Sequence, residues 1–447
     1  MANRYANSHY SFSDHWNYDD VSEDCLRINV WTPAINDGKR RPVMFWLHGG
    51  GFTNGNGIEQ DGYHGENLSR KGDIVFCSIN HRLGPLGFTD LGGVGGDTFA
   101  ASGNAGMLDI ITALEWVRDN IENFGGDPNN VTIMGQSGGG AKVTTLTAMP
   151  SAKGLFHKAV VLSGASTRSG EKDYAEKLGS YVMQEAGLSN NEIDKLQEIP
   201  WLDYIHVANS AAARLREESE GDTYRGGFSP VVDGLHIPQH PYFPEASPTA
   251  AEVPMLICST FNEMSPSRND PALENISLDE VKEKLKEGFG FFRSTLKDPS
   301  AAVEAYARAF PDKRPVEIWS MIASNRQRTI ELADAKSVQP APVYLAWFGW
   351  QPPLFDNRMR AAHCVDICFW YYNTDLMLTH TGGGARPRKL SEKMSDALLG
   401  FMRTGDPNAG QLPSWPKYNK ENGKTMILDD VPEVKNDPDR EARKTLV

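Results

Sequence analysis

Continuous apolar runs recur along the chain: RPVMFWL (41–47), GDIVFCSINHRL (72–83), NVTIMGQ (130–136), KAVVLSG (158–164), VPMLICS (253–259) and VYLAWF (343–348). Their apolar positions are consecutive rather than alternating. Strands of that kind are buried on both faces, so the pattern predicts an α/β fold with a mostly parallel sheet flanked by helices. Between the runs the period changes. Met107, Ile110, Ile111, Leu114, Val117 and Ile121 fall on one helical face, and GGDP at 125–128 ends that helix. Ser189 with Glu192 and Ser277 with Glu280 form capping boxes. LSEKMSDALLGFMRTGDP (390–407) predicts a late helix stopped by Gly405 and Pro407. The segments at about 165–250 and 264–340 are polar and helical without strand rhythm, and we expect them to be insertions that cap the sheet edge. No stretch has a linker's composition and no repeat occurs, so residues 1–447 are expected to form a single domain.

Composition narrows the function. A chain of 447 residues that is 40% hydrophobic can bury a large core. Its formal net charge of −13 argues against nucleic acid or an anionic membrane as partner, since those need clustered Lys and Arg. No apolar stretch is long enough for membrane insertion. The opening residues, MANRYANSHYSFSDHW, lack the apolar core of a secretory signal, so a cytoplasmic chain is expected, as a monomer or weak homo-oligomer. The five cysteines are odd in number and sparse, which is no disulfide scaffold. Cys77 and Cys258 lie inside apolar runs and are expected in the core. His363, Cys364 and Cys368 lack a second ligand pair, so no metal is expected, and nothing calls for a cofactor.

One stretch carries chemistry. In MGQSGGG (134–140) a serine follows a strand and precedes the helix-compatible AKVTTLTAM. Gly135-Gln136-Ser137-Gly138-Gly139 is a G-x-S-x-G nucleophile elbow, a sharp strand-to-helix turn that exposes the hydroxyl and aims the next N–H at a reacting carbonyl. HGGGF (48–52) follows the first apolar run, and its glycines let backbone N–H groups converge on an oxyanion. A phosphate loop would need Gly-Lys-Ser/Thr at a helix start, which is absent.

From Ser22 onward the chain resembles the type-B carboxylesterases, with the cholinesterases as relatives. The resemblance rests on SEDCLRINVWTP (22–33), HGGGF, NHRLGPLGF (80–88), the block 103–140, LFHKAVVLSGAS (155–166) and RTGDPN (403–408). It implies an α/β-hydrolase fold and hydrolysis of small-molecule carboxylic esters through an acyl-enzyme. It also implies Ser137 as nucleophile, His363 as base and Glu263, in STFNEMSP, as the acid that orients it, with Asp270 and Asp366 as the other acids available. The order Ser137, Glu263, His363 is the one this fold uses. Carried-over oxyanion donors are the N–H groups of Gly50, Gly51 and Gly138. Asp366 corresponds to an acid behind the histidine. Ser163 corresponds to a serine bonded to the catalytic acid, or is an ordinary strand-end serine. Phe52 and Trp16 correspond to alcohol-pocket aromatics, though for Trp16 a packing aromatic is the favoured reading.

The chain departs from that pattern at several positions. Met264 and Cys364 stand where the family has Gly, Gly138 where Ala is commoner, and Gln136 where the cholinesterases have Glu. Only 24 residues precede Cys25, whose usual disulfide partner is therefore missing, so a free thiol is expected. The same triad could serve amide, carbamate or lactone hydrolysis. Non-catalytic, adhesion-type members of the fold typically lose the serine, which this chain keeps.

Overall fold

The computed structural model describes residues 21–219, 227–288 and 295–446. Nine strands make one sheet: β1 (Arg27–Trp31), β2 (Arg41–Leu47), β3 (Val75–Asn80), β4 (Gly126–Gln136), β5 (Lys158–Leu162), β6 (Met255–Thr260), β7 (Val343–Phe348), β8 (Lys424–Leu428) and β9 (Glu433–Asn436). Their spatial order is β1-β3-β2-β4-β5-β6-β7-β8-β9. β1 and β9 pair antiparallel at the two edges, and every pairing between β3 and β8 is parallel. The six apolar runs are β2 to β7. β4 starts four residues earlier than the apolar run, at Gly126, and the register slips between Arg41 and Val43. GGDP therefore ends one element and begins the next across a bulge.

Alternate residues of the buried strands feed two cores. Val43, Phe45 and Leu47 of β2 face one side with Val131, Ile133, Val161 and Ile257. That side is covered by α1 (Ala105–Asn120), which buries Met107, Ile110, Ile111, Leu114 and Val117 as its spacing predicts. Met44 and Trp46 face the other side with Met134, Val160 and Leu256, under the late helix. That helix runs from Ala385 to Thr404, earlier at both ends than its apolar pattern. Pro387 fits its first turn, where an N–H has no intrahelical partner, and Gly405 ends it at φ +78°.

Both capping boxes form, the one at Ser189 opening a 3-10 turn and the one at Ser277 an α-helix. Among the described residues, 165–250 holds no strand. Its helices Lys172–Glu185 and Trp201–Glu218 bury Val182, Met183, Ala208 and Ala211 against each other and Leu91. In 264–340, three helices gather around Trp347 and Ile427. The last, Gln327–Ser337, instead buries Ile330, Leu332 and Ala333 in the sheet's own core. No helix among the described residues is long and apolar enough to cross a membrane.

The strand order reverses at β2, which lies between β3 and β4. In such sheets the crevice at the carboxyl ends of the strands is where ligands bind. Leu47 of β2 pairs with Gly135 of β4, so the chain leaving each strand enters that crevice side by side.

Candidate active site

Ser137 sits between β4 and α2 (Gly138–Leu146) at φ +57°, ψ −124°. A side chain held there costs on the order of 1–3 kcal/mol and persists only where its surroundings enforce it. The enforcement is visible. Ser137 N donates to Leu162 O at 2.8 Å, and Ala141 N donates to Ser137 O at 3.1 Å. The glycines answer to space. A Cβ on Gly135 would lie 2.3 Å from the backbone of Gly139, and one on Gly139 would lie 2.0 Å from Leu47 O. Strand end, helix start and the loop after β2 thus meet backbone to backbone.

That loop is HGGGF. Gly50 and Gly51 both take positive φ, +88° and +63°. A Cβ on Gly49 would stand 3.5 Å from the Ser137 Cβ, so the loop runs alongside the serine. Asn54 N donates to Gly50 O at 3.0 Å, closing the loop on itself. Phe52 is half-buried and meets Phe88 edge-on at 5.4 Å. Trp16 lies outside the described residues.

Glu263 and His363 leave different strand ends and meet. Asn262 N donates to Ala361 O at 3.1 Å, which joins the loop after β6 to the loop that carries the histidine. The imidazole Nδ1 is hydrogen-bonded to the Glu263 carboxylate. The other carboxylate oxygen accepts from Thr260 N at 2.8 Å, and Glu263 N donates to Ser324 Oγ at 2.8 Å. Burial opposes ionisation of Glu263. The His363 charge, with hydrogen bonds to its carboxylate, outweighs burial and holds the carboxyl below its ordinary range. The Ser163 hydroxyl favours the same ionised form, although its Oγ is outside ordinary hydrogen-bond geometry, so the contact is one of charge and dipole. Ser163 itself takes φ +44°. Asp270 instead caps the turn Pro271–Asn275, away from this pair.

Gln136, the residue before the serine, reaches the same imidazole. Its Nε2 is 3.1 and 3.3 Å from the two ring nitrogens, which puts the amide over the ring. Its Oε1 accepts from Cys364 Sγ at 3.4 Å. Cys364 holds φ +74°, a conformation that glycine takes without strain. Asp366 is fully buried behind the histidine and accepts from Trp370 Nε1 at 3.3 Å. Burial, and then the Glu263 charge, push its carboxyl up to about 7.

Sequence reasoning missed three contacts: Ser324 on Glu263, Cys364 on Gln136, and Lys142 Nζ on His48 O at 2.9 Å. The last could have been suspected, because Lys142 is the single charged residue in AKVTTLTAM.

The chain is similar to known proteins over nearly its whole length. The profile of the Carboxylesterase family matches residues 2–445. The para-nitrobenzyl esterase of Bacillus subtilis (strain 168) is 34% identical over 434 residues, 95% of this chain and 83% of that protein. The phenmedipham hydrolase of Pseudarthrobacter oxydans is 32% identical over 448 residues, with the same two shares. Among solved structures, an esterase from the anaerobe Clostridium hathewayi, described as able to hydrolyse aliphatic aromatic polyesters, superposes with a TM-score of 0.84. It is 33% identical, and the match covers 98% of this chain and 85% of that one.

Proposed function

This chain belongs to the carboxylesterase family and is a carboxylic ester hydrolase of the α/β-hydrolase fold, and on that premise we propose that Ser137, His363 and Glu263 are its catalytic triad. Ser137 Oγ attacks the ester carbonyl carbon while His363 Nε2 takes its proton. The ionised Glu263, fixed by Thr260 N–H, keeps the other ring proton on Nδ1 and stabilises the imidazolium. Charge gathers on the carbonyl oxygen, and the N–H groups of Gly50, Gly51 and Gly138 receive it. The tetrahedral adduct collapses, the C–O bond to the alcohol breaks, and the alcohol leaves with the proton from His363. Water then repeats the sequence on the acyl-enzyme and releases the acid.

The observation that carries this reading is the buried carboxylate–imidazole pair, touched by the side chain of Gln136, with the next residue, Ser137, held at φ +57°. Gln136 gives the imidazole a neutral amide for a neighbour, which supports neutral esters as substrates rather than cationic ones. The test is Ser137→Ala. Turnover should fall by about 10⁶, the size of nucleophile loss in serine hydrolases, and labelling by organophosphates should vanish. A folded variant that keeps more than a few per cent of activity refutes the assignment.

A further inference from the structure

Behind the oxyanion loop lies a second group of buried titratable side chains that the reaction does not use: His48, His81 and Lys142. The two imidazoles stack at 5.3 Å with their planes 23° apart. Lys142 has no exposed surface at all, five residues past the nucleophile on α2. Burying an ammonium is expensive, and a methionine would fill the same volume without that cost. The ammonium is therefore placed where its charge and donors act on something.

What it acts on is the entrance to the oxyanion loop. Lys142 Nζ donates to His48 O at 2.9 Å. That carbonyl belongs to the peptide that leads into Gly49, so fixing its plane fixes the direction in which the chain enters Gly50 and Gly51. His48 Nδ1 with Gly49 O at 2.9 Å and Asn54 N to Gly50 O are bonds within the loop, and Gly84 N donates to Phe52 O at 2.7 Å at its far end. The Lys142 bond runs between the loop and the helix that carries the nucleophile. The neighbouring His81 stays neutral, held well below its ordinary range by burial and then by the Lys142 charge.

We propose that Lys142 is a positioning residue for ester hydrolysis: its buried ammonium locks the oxyanion loop to the nucleophile helix in the geometry the tetrahedral intermediate needs. The proposal rests on the reading that Gly50 and Gly51 hold the oxyanion. It predicts an effect on the transition state and little effect on ground-state binding.

The test compares Lys142→Met, which removes charge and donor, with Lys142→Gln, which keeps a shorter donor. Both are assayed with p-nitrophenyl acetate at active-site concentrations titrated by an organophosphate. Lys142→Met should lose about 100-fold in kcat, the size of a roughly 1 Å misplacement of the donors, with KM within about twofold. The affinity for a trifluoromethyl ketone, which binds as a tetrahedral adduct, should fall by the same factor. Lys142→Gln should lose less, about three- to tenfold on the same scale. A lower melting temperature with kcat and inhibitor affinity unchanged would overturn the proposal, because that is what a merely structural lysine gives. If Lys142→Met does not fold, Lys142→Gln alone decides, and wild-type values for it overturn the proposal. Failure of both to fold also overturns it, since a positioning role leaves a folded, slow enzyme. Wild type that takes no organophosphate label would instead show that the Ser137 reading is wrong.

Discussion

Replacing Gly138 with Ala, the commoner residue of the family at this place, should cripple this enzyme. A Cβ built on Gly138 meets Gly51 O at 2.2 Å and Gly51 Cα and N at 2.4 Å. Ordinary carbon contacts lie near 3.5–4.0 Å, so one backbone or the other must retreat by roughly 1 Å. No side chain can rotate away, because both sides are main chain. The two residues forced apart are also two of the three proposed oxyanion donors. A misplacement of roughly 1 Å costs about 10²-fold, and loss of one donor about 10²–10³-fold. We therefore expect kcat to fall by about 10² to 10³ with KM nearly unchanged, because these donors grip the oxyanion more than the substrate carbonyl. Overpacking should also lower stability by about 1–3 kcal/mol, seen as a lower melting temperature. The assay is p-nitrophenyl acetate hydrolysis with active sites titrated by an organophosphate. A kcat within about threefold of wild type at unchanged melting temperature would refute the reasoning, since the loop would then yield freely and could not be preorganised.

Glu263→Gln keeps an acceptor for Thr260 N–H but removes the charge opposite the imidazolium. It should lower kcat by about 10⁴ with the fold intact, and a circular-dichroism-matched variant with a tenth of wild-type activity would refute that. Asp366→Asn tests the buried carboxyl raised to about 7. The folded protein keeps that proton between about pH 4 and 7, where the unfolded chain has already released it, so wild-type stability falls as pH rises through that window. Relative to wild type, the melting temperature of the variant should climb from pH 5 to 8, and parallel curves would count against the argument. The five cysteines are all free, so denatured, unreduced protein should titrate five thiols with Ellman's reagent, and a count of three would reveal a disulfide.

The interior of the sheet was legible because its strands are buried on both faces, and only a consecutive apolar run satisfies that. The strands β1, β8 and β9 were not. β9 reads EVKN with one half-buried position, which carries no signal apart from its pairing with β8. The segment 264–340 reads as polar and helical in the sequence, yet Gln327–Ser337 packs in the core under β2 to β7 while the helices before it gather on Trp347 of β7 and Ile427 of β8. Its three apolar contacts are too few to separate a core helix from a cap helix by pattern. The strand-to-helix turn at Ser137 was legible from its glycines. Glu263 and His363 were reached through the family's motifs, since nothing local marks either residue. The contacts that tune the site join residues 94 and 228 positions apart. Such pairs are decided by how the loops pack, which no periodicity encodes.

Two departures from the family pattern touch each other, and the contact explains why they coexist. Cys364 replaces a glycine at φ +74°, which should cost on the order of 1–3 kcal/mol of backbone strain. Glycine there would remove the strain but add about 0.5–1 kcal/mol of unfolded-chain entropy to be lost on folding. It would also take the Cys364 thiol away from Gln136 Oε1. A buried acceptor stripped of its donor costs about 1–3 kcal/mol. The terms nearly cancel, so cysteine is tolerable at this position because Gln136 is there to receive the thiol. The converse also holds. The Gln136 amide lies over the His363 imidazole with its oxygen turned to Cys364. An orientation fixed in that way keeps the amide nitrogen, and not its oxygen, against the ring of His363. Restoring the family's residue at one of these positions alone would therefore undo the arrangement at the other.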